Sequence, residues 1–129
     1  MLGLFNIFGR SDALKALDLA LRKFDVHPRL VPEAAKLATL RLMQKASEAA
    51  YTLGDPDYEK AAGLLGYCIL GPDQFVASNT LAAGTFAEQR VEAAIDAGDS
   101  LDAELILLAL HAGILHPDIA DRFEVEANE

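Results

Sequence analysis

Leu14, Leu17, Leu21 and Phe24 recur at intervals of three and four residues, with Lys15, Asp18 and Arg22 between them. That spacing puts the apolar side chains on one helical face and the charges opposite. Ser11 precedes the run as an N-cap, so the first helix is predicted from Ser11 to about Phe24. Pro28 and Pro32 bracket a turn. Pro32 suits the first position of a second helix, where its missing N–H would have no partner in any case. Glu33 then lies at the positive end of the helix dipole. This helix is predicted to reach about Leu53 and to stop at Gly54.

Asp55 and Pro56 form a cap and first-turn signal for a third helix. Its apolar face is Ala61, Leu64, Leu65, Cys68 and Ile69, with Tyr67 directed elsewhere. Ala62, Gly63 and Gly66 form a second face almost without side chains. A glycine costs a helix about 1 kcal/mol, so these two predict close approach by a neighbouring helix. Gly71-Pro72 ends the segment. The fourth segment, from Pro72 to about Ala97, contains Gly84 and then Thr85-x-x-Glu88, which reads as a capping box; it is one kinked helix or two short ones. The fifth begins at Ser100. Its stretch from Leu105 to Leu110 is apolar all round, which predicts a central helix covered on every side. Gly113 and Pro117 close it, and a short last helix from Asp118 to Phe123 leads into an acidic tail. No stretch alternates with the strand period of two. The fold class is therefore all-α: three tandem helix pairs, about six helices, as a short α-solenoid or a compact bundle.

The helix boundaries recur in phase. Pro28, Pro72 and Pro117 are 44 and 45 residues apart, and Gly54 and Gly98 are 44 apart. Glu48-Ala49-Ala50-Tyr51-Thr52-Leu53-Gly54-Asp55 aligns with Glu92-Ala93-Ala94-Ile95-Asp96-Ala97-Gly98-Asp99. Ile69-Leu70-Gly71-Pro72-Asp73 aligns with Ile114-Leu115-His116-Pro117-Asp118, and Val26-His27-Pro28 repeats the ending in shorter form. This predicts a duplication of about 44 residues (28–71 and 72–116) within one helical domain, 9–123, flanked by an apolar segment at 1–8 and a tail at 124–129. The period lies in the range of HEAT and armadillo units. The segment His27-Pro-Arg-Leu-Val-Pro-Glu-Ala-Ala resembles the opening of a HEAT helix over a single repeat, and no family is assigned on it. Asp57-Tyr-Glu-Lys-Ala-Ala fits the tetratricopeptide pattern locally, but the period is about ten residues too long for that family.

Composition narrows the function. Of 129 residues, 52% are apolar and only 7% aromatic, so the core is built from small and medium side chains that suit close helix packing. The net charge of −9 disfavours nucleic acid and polybasic membrane binding, both of which reward Lys and Arg. Residues 1–60 carry nine Lys/Arg against eight Asp/Glu, whereas residues 61–129 carry two, Arg90 and Arg122, against twelve. Such asymmetry is what a head-to-tail contact or a basic partner for the second half requires; it also serves solubility. Cys68 is the single cysteine, so no internal disulfide forms. Met1–Phe8 is apolar but too short for a signal peptide or a bilayer span, and a cytoplasmic location is expected.

No catalytic pattern stands out, and no cofactor is expected. Glu104, His111, His116 and Asp118 are the weak candidates for a metal site, because Glu104 and His111 share a helix face while His116 follows the helix end. Their spacing matches no recognised ligand set, and His27 and His116, each before a proline, read as turn residues. Glu92, Asp96, Asp99, Asp102 and Glu104 lack the order of a calcium loop. The expected function is a non-catalytic helical-repeat interaction or adaptor module that self-associates as a homo-oligomer or binds a protein partner, with Leu4, Phe5 and Phe8 as contact residues. Two alternatives stand beside it. One is a small helical ligand- or metal-binding bundle or enzyme with a pocket near Cys68, Tyr67 and Glu104 or His111. The other is a peripheral membrane accessory protein anchored by residues 1–8.

Overall fold

The computed structural model describes residues 10–49 and 57–125. Among them are α1 (Arg10–Lys23), a 3-10 turn (Pro28–Leu30), α2 (Glu33–Ala49), α3 (Tyr58–Leu70), α4 (Pro72–Ser78), α5 (Leu81–Ala97), α6 (Leu101–His111) and α7 (Pro117–Phe123), and no strand. Leu53, Gly54, Asp55 and Pro56 lie outside the described residues, as does Met1–Phe8.

The centre of the molecule is α3. Every residue from Ala61 to Cys68 is buried, Tyr67 included. Helices α1, α4, α5 and α6 all pack against it, while α2 packs on α1 and α6. A helix enclosed on four sides makes a compact bundle, since in a row of stacked pairs each unit would touch only its neighbours. The sequence pattern assigns the central place to α6, and the structure corrects this. Leu107 on α6 is 45% exposed, and Leu108 and Leu110 are only half-buried. The glycines explain the difference: a helix with little side chain can be approached from more sides than one lined with leucines.

The approach at Gly63 and Gly66 is made by side chains. A Cβ at Gly63 would meet the Phe24 ring at 3.2 Å, and one at Gly66 would meet Val26 at 3.2 Å and Phe75 at 3.3 Å. The space seats an aromatic cluster: Phe24 stacks on Phe75 at 5.9 Å, and Phe75 meets the edge of Tyr67 at 5.6 Å. The rings join the ends of α1 and α4 to α3. Asn79 closes the same corner by donating to the carbonyls of Phe24 (3.2 Å) and Phe75 (3.0 Å).

The fourth predicted segment is two helices, and the break falls at Asn79-Thr80 instead of Gly84. The Thr80 hydroxyl accepts from the Ala83 N–H and caps α5. Thr85 and Glu88 lie inside α5, so their capping-box pattern is not used. Gly84 has another role: a Cβ there would lie 2.4 Å from Val76 Cγ2, so its absence lets α4 pack tightly on α5. Helix α3 is capped by Asp57, whose carboxylate accepts from the Lys60 N–H, two residues beyond the predicted cap.

His27 and His116 act alike. Each stands before a proline in extended conformation, and each accepts the N–H two residues ahead on its Nδ1, from Arg29 at 3.1 Å and from Asp118 at 3.0 Å. Upstream of each, the helix ends in the same wrapped turn. The Val26 N–H donates to Leu21 and the Ile114 N–H to Ala109, with Asp25 and Gly113 in the left-handed region.

Candidate interaction surface

Two grooves flank the α5–α6 hairpin. The larger, about 600 Å³, runs between α2 and α5 and is floored by α3 and α6; Met43, Ala61, Ala94 and Leu105 make its apolar part. Its polar wall is built around Arg90. The guanidinium donates to both carboxylate oxygens of Asp102 (3.0 and 2.8 Å) and to the Lys60 carbonyl (2.7 Å), and it lies 5.9 Å from the Phe86 ring centre. With only 10% of its side chain exposed, Arg90 ties α3, α5 and α6 together. A two-point Arg–carboxylate contact of this kind is geometrically specific. Sequence reasoning missed this group; the one available signal was that Arg90 is one of only two Lys/Arg after residue 60.

The smaller groove, about 150 Å³, lies on the other side of the hairpin between Ile95 and Gly98 on one flank and Ala103, Ile106 and Leu107 on the other, with Val125 at its end. Ile95 is 46% and Leu107 45% exposed. Acidic residues neighbour these positions along the chain. Glu92 is one turn before Ile95, Asp96 and Asp99 adjoin Ile95 and Gly98, Glu104 is one turn before Leu107, and Glu124 adjoins Val125. None of these five makes an ion pair among the described residues. The only two Lys/Arg of this half are engaged elsewhere, Arg90 by Asp102 and Arg122 by Glu88 at 3.0 Å.

The candidate metal ligands do not converge. Glu104 and His111 lie on α6, whereas the His116 Nδ1 is occupied in capping α7 and is 3.9 Å from Asp118. Among the described residues no group of three or more His, Cys, Asp or Glu is placed to hold a metal ion. Cys68 is fully buried, and burial pushes its thiol up to about 12. Tyr67, 1% exposed, is likewise raised, chiefly by burial against a smaller lowering effect of Arg122. Neither residue lines either groove, nor do Glu104 and His111, so the predicted pocket near them is not where these grooves lie. Leu4, Phe5 and Phe8 lie outside the described residues. Among the described residues no helix is long and apolar enough to cross a membrane. Comparison with protein-family models, curated proteins and solved structures finds no match.

Proposed function

We propose that this chain is a non-catalytic helical interaction module built on a duplicated helix unit, acting in the cytoplasm through protein contacts. The observation that carries the reading is the apolar groove at Ile95 and Leu107, large side chains left half in water, with neighbouring carboxylates that make no ion pair among the described residues. Exposed apolar patches with a polar rim are a mark of partner sites. The matching caps at His27 and His116 support the duplication. The buried, un-ionised Cys68 argues against thiol chemistry, because the thiolate is the reactive form.

The test is a photo-crosslinking amino acid placed at position 107 of the full chain in cells. A discrete protein adduct is expected there, and none from the same group at Asp73, an exposed position on α4. Adducts at neither position would refute the reading. The larger groove favours a second reading, a small-molecule site, since its volume falls in the range such sites occupy. Under that reading a ligand would protect residues around Ala61 and Ala94 from hydrogen exchange and leave the assembly state unchanged.

A further inference from the structure

We propose that the occupant of the small α5–α6 groove is the outer face of α1 from a second copy of this chain, so that the module assembles head to tail. The inference rests on the interaction reading above and names its partner. On α1, Leu19 is 65% exposed. Lys15 lies one turn before it and Arg22 and Lys23 one turn after. Lys23 pairs with Glu59, but exposed Lys15 and Arg22 make no ion pair among the described residues. Asp18, the carboxylate beside Leu19, is neutralised by Lys36 at 3.1 Å. This face therefore presents one large aliphatic side chain between Lys15 and Arg22, with exposed Asp12 one turn further towards the start of α1.

The groove is its complement. A volume of about 150 Å³ is roughly what holds one benzene-sized apolar group, which suits a single leucine. Glu92, Asp96, Asp99, Glu104 and Glu124 lie within one helical turn of its lining residues along the chain, and none makes an ion pair among the described residues. Bringing Lys15 and Arg22 to this rim pairs charges that are otherwise unmatched, and such rim charges govern association rate and salt dependence.

The same charges decide the symmetry. A two-fold contact centred on the groove would set its carboxylates against their own copies, and one centred on Leu19 would oppose lysine and arginine to themselves. Joining the two unlike faces avoids both. The contact is thus heterologous, and the assembly proposed is a ring of three or more copies or an open chain, according to the rotation between copies.

The experiment is sedimentation velocity of the full chain from micromolar to about 1 mM, with Leu19→Ser and Leu107→Ser as variants. Both side chains are substantially exposed, so folding is retained, and far-UV circular dichroism verifies this. The wild type is expected to grow in mass with concentration beyond a dimer and to dissociate in high salt. Each variant alone should associate at least tenfold more weakly. An equimolar mixture of the two should form a dimer and nothing larger, because each variant keeps the one face the other lacks. A wild type that stops at a dimer, a mixture that stays monomeric, or a wild type that is monomeric throughout overturns the proposal. So does loss of assembly in Leu4→Ser/Phe5→Ser/Phe8→Ser with Leu19→Ser unaffected. Failure here is separable from failure of the interaction reading: a wild-type monomer that still crosslinks another protein through position 107 leaves the module and removes the self-pairing.

Discussion

Replacing Gly84 with alanine should destabilise the protein, although the same change stabilises most helices. Gly84 sits inside α5, where alanine gains about 1 kcal/mol over glycine from helix propensity. Opposing this, the new Cβ would lie 2.4 Å from Val76 Cγ2, well inside contact distance. Val76 is β-branched and stiff at χ1, so it yields only by leaving its preferred rotamer or by letting the helices separate. Overpacking of this sort costs about 1–3 kcal/mol. The net expectation is a loss of about 1 kcal/mol. The Val76→Ala background reverses the sign. There the nearest atom becomes the Cβ of residue 76, 3.8 Å away and in ordinary contact, so Gly84→Ala should gain about 1 kcal/mol. Urea unfolding of the four proteins in this cycle, followed by circular dichroism, gives the coupling directly; about 2 kcal/mol is expected from residues in contact. Equal stabilisation by Gly84→Ala in both backgrounds would refute the idea that the α4–α5 contact requires glycine.

Three further outcomes follow from the packing. Asp102→Ala leaves the largely buried Arg90 guanidinium with the Lys60 carbonyl as its one hydrogen-bond acceptor among the described residues. It should cost roughly 2 kcal/mol in urea unfolding, between the worth of a surface pair and the cost of breaking a buried one, while Arg90→Met/Asp102→Leu recovers most of the loss. Because burial raises the Cys68 thiol to about 12 from an ordinary 9.0, the unfolded chain loses its proton first as the pH rises. Stability should then be fully present below pH 9 and fall by about 1.4 kcal/mol per pH unit towards 12. Urea titrations at pH 8 and 10.5 should show a steeper fall in the wild type than in Cys68→Ala, and parallel slopes would contradict the assignment. Asp25, with φ of 65°, ends α1 in the left-handed region. Asp25→Gly should raise stability by about 0.5–1 kcal/mol, since glycine adopts that conformation without strain, and a lowered midpoint in thermal unfolding would count against it.

The periodicity of apolar residues and the short-range chemistry of caps decided much of this molecule before any tertiary contact. The Leu14–Phe24 stripe makes α1, Gly71-Pro72 separates α3 from α4, Gly98 ends α5 and Ser100 caps α6. These signals act within one or two turns, so a linear chain displays them. All-helical architecture follows from them, as does the shared placement of His27 and His116 before proline.

What lay beyond sequence reach was everything set by distance across the bundle. Gly84 marks a break only if one does not know that Val76 rests on it, and the break itself belongs to Asn79, whose amide reaches Phe24 from 55 residues away. The choice of central helix turned on Phe24, Val26 and Phe75 filling the space left by Gly63 and Gly66, which let α3 be surrounded while the more apolar α6 stayed on a flank. Likewise the charges of the second half could be counted but not sorted. Only the fold shows that Arg90 and Arg122 are spent on Asp102 and Glu88, while the carboxylates next to Ile95 and Leu107 in the chain make no ion pair among the described residues. Local hydrogen bonding and propensity are written along the chain. Which surfaces remain open depends on how the helices pack in three dimensions, and that is a property of the assembled bundle.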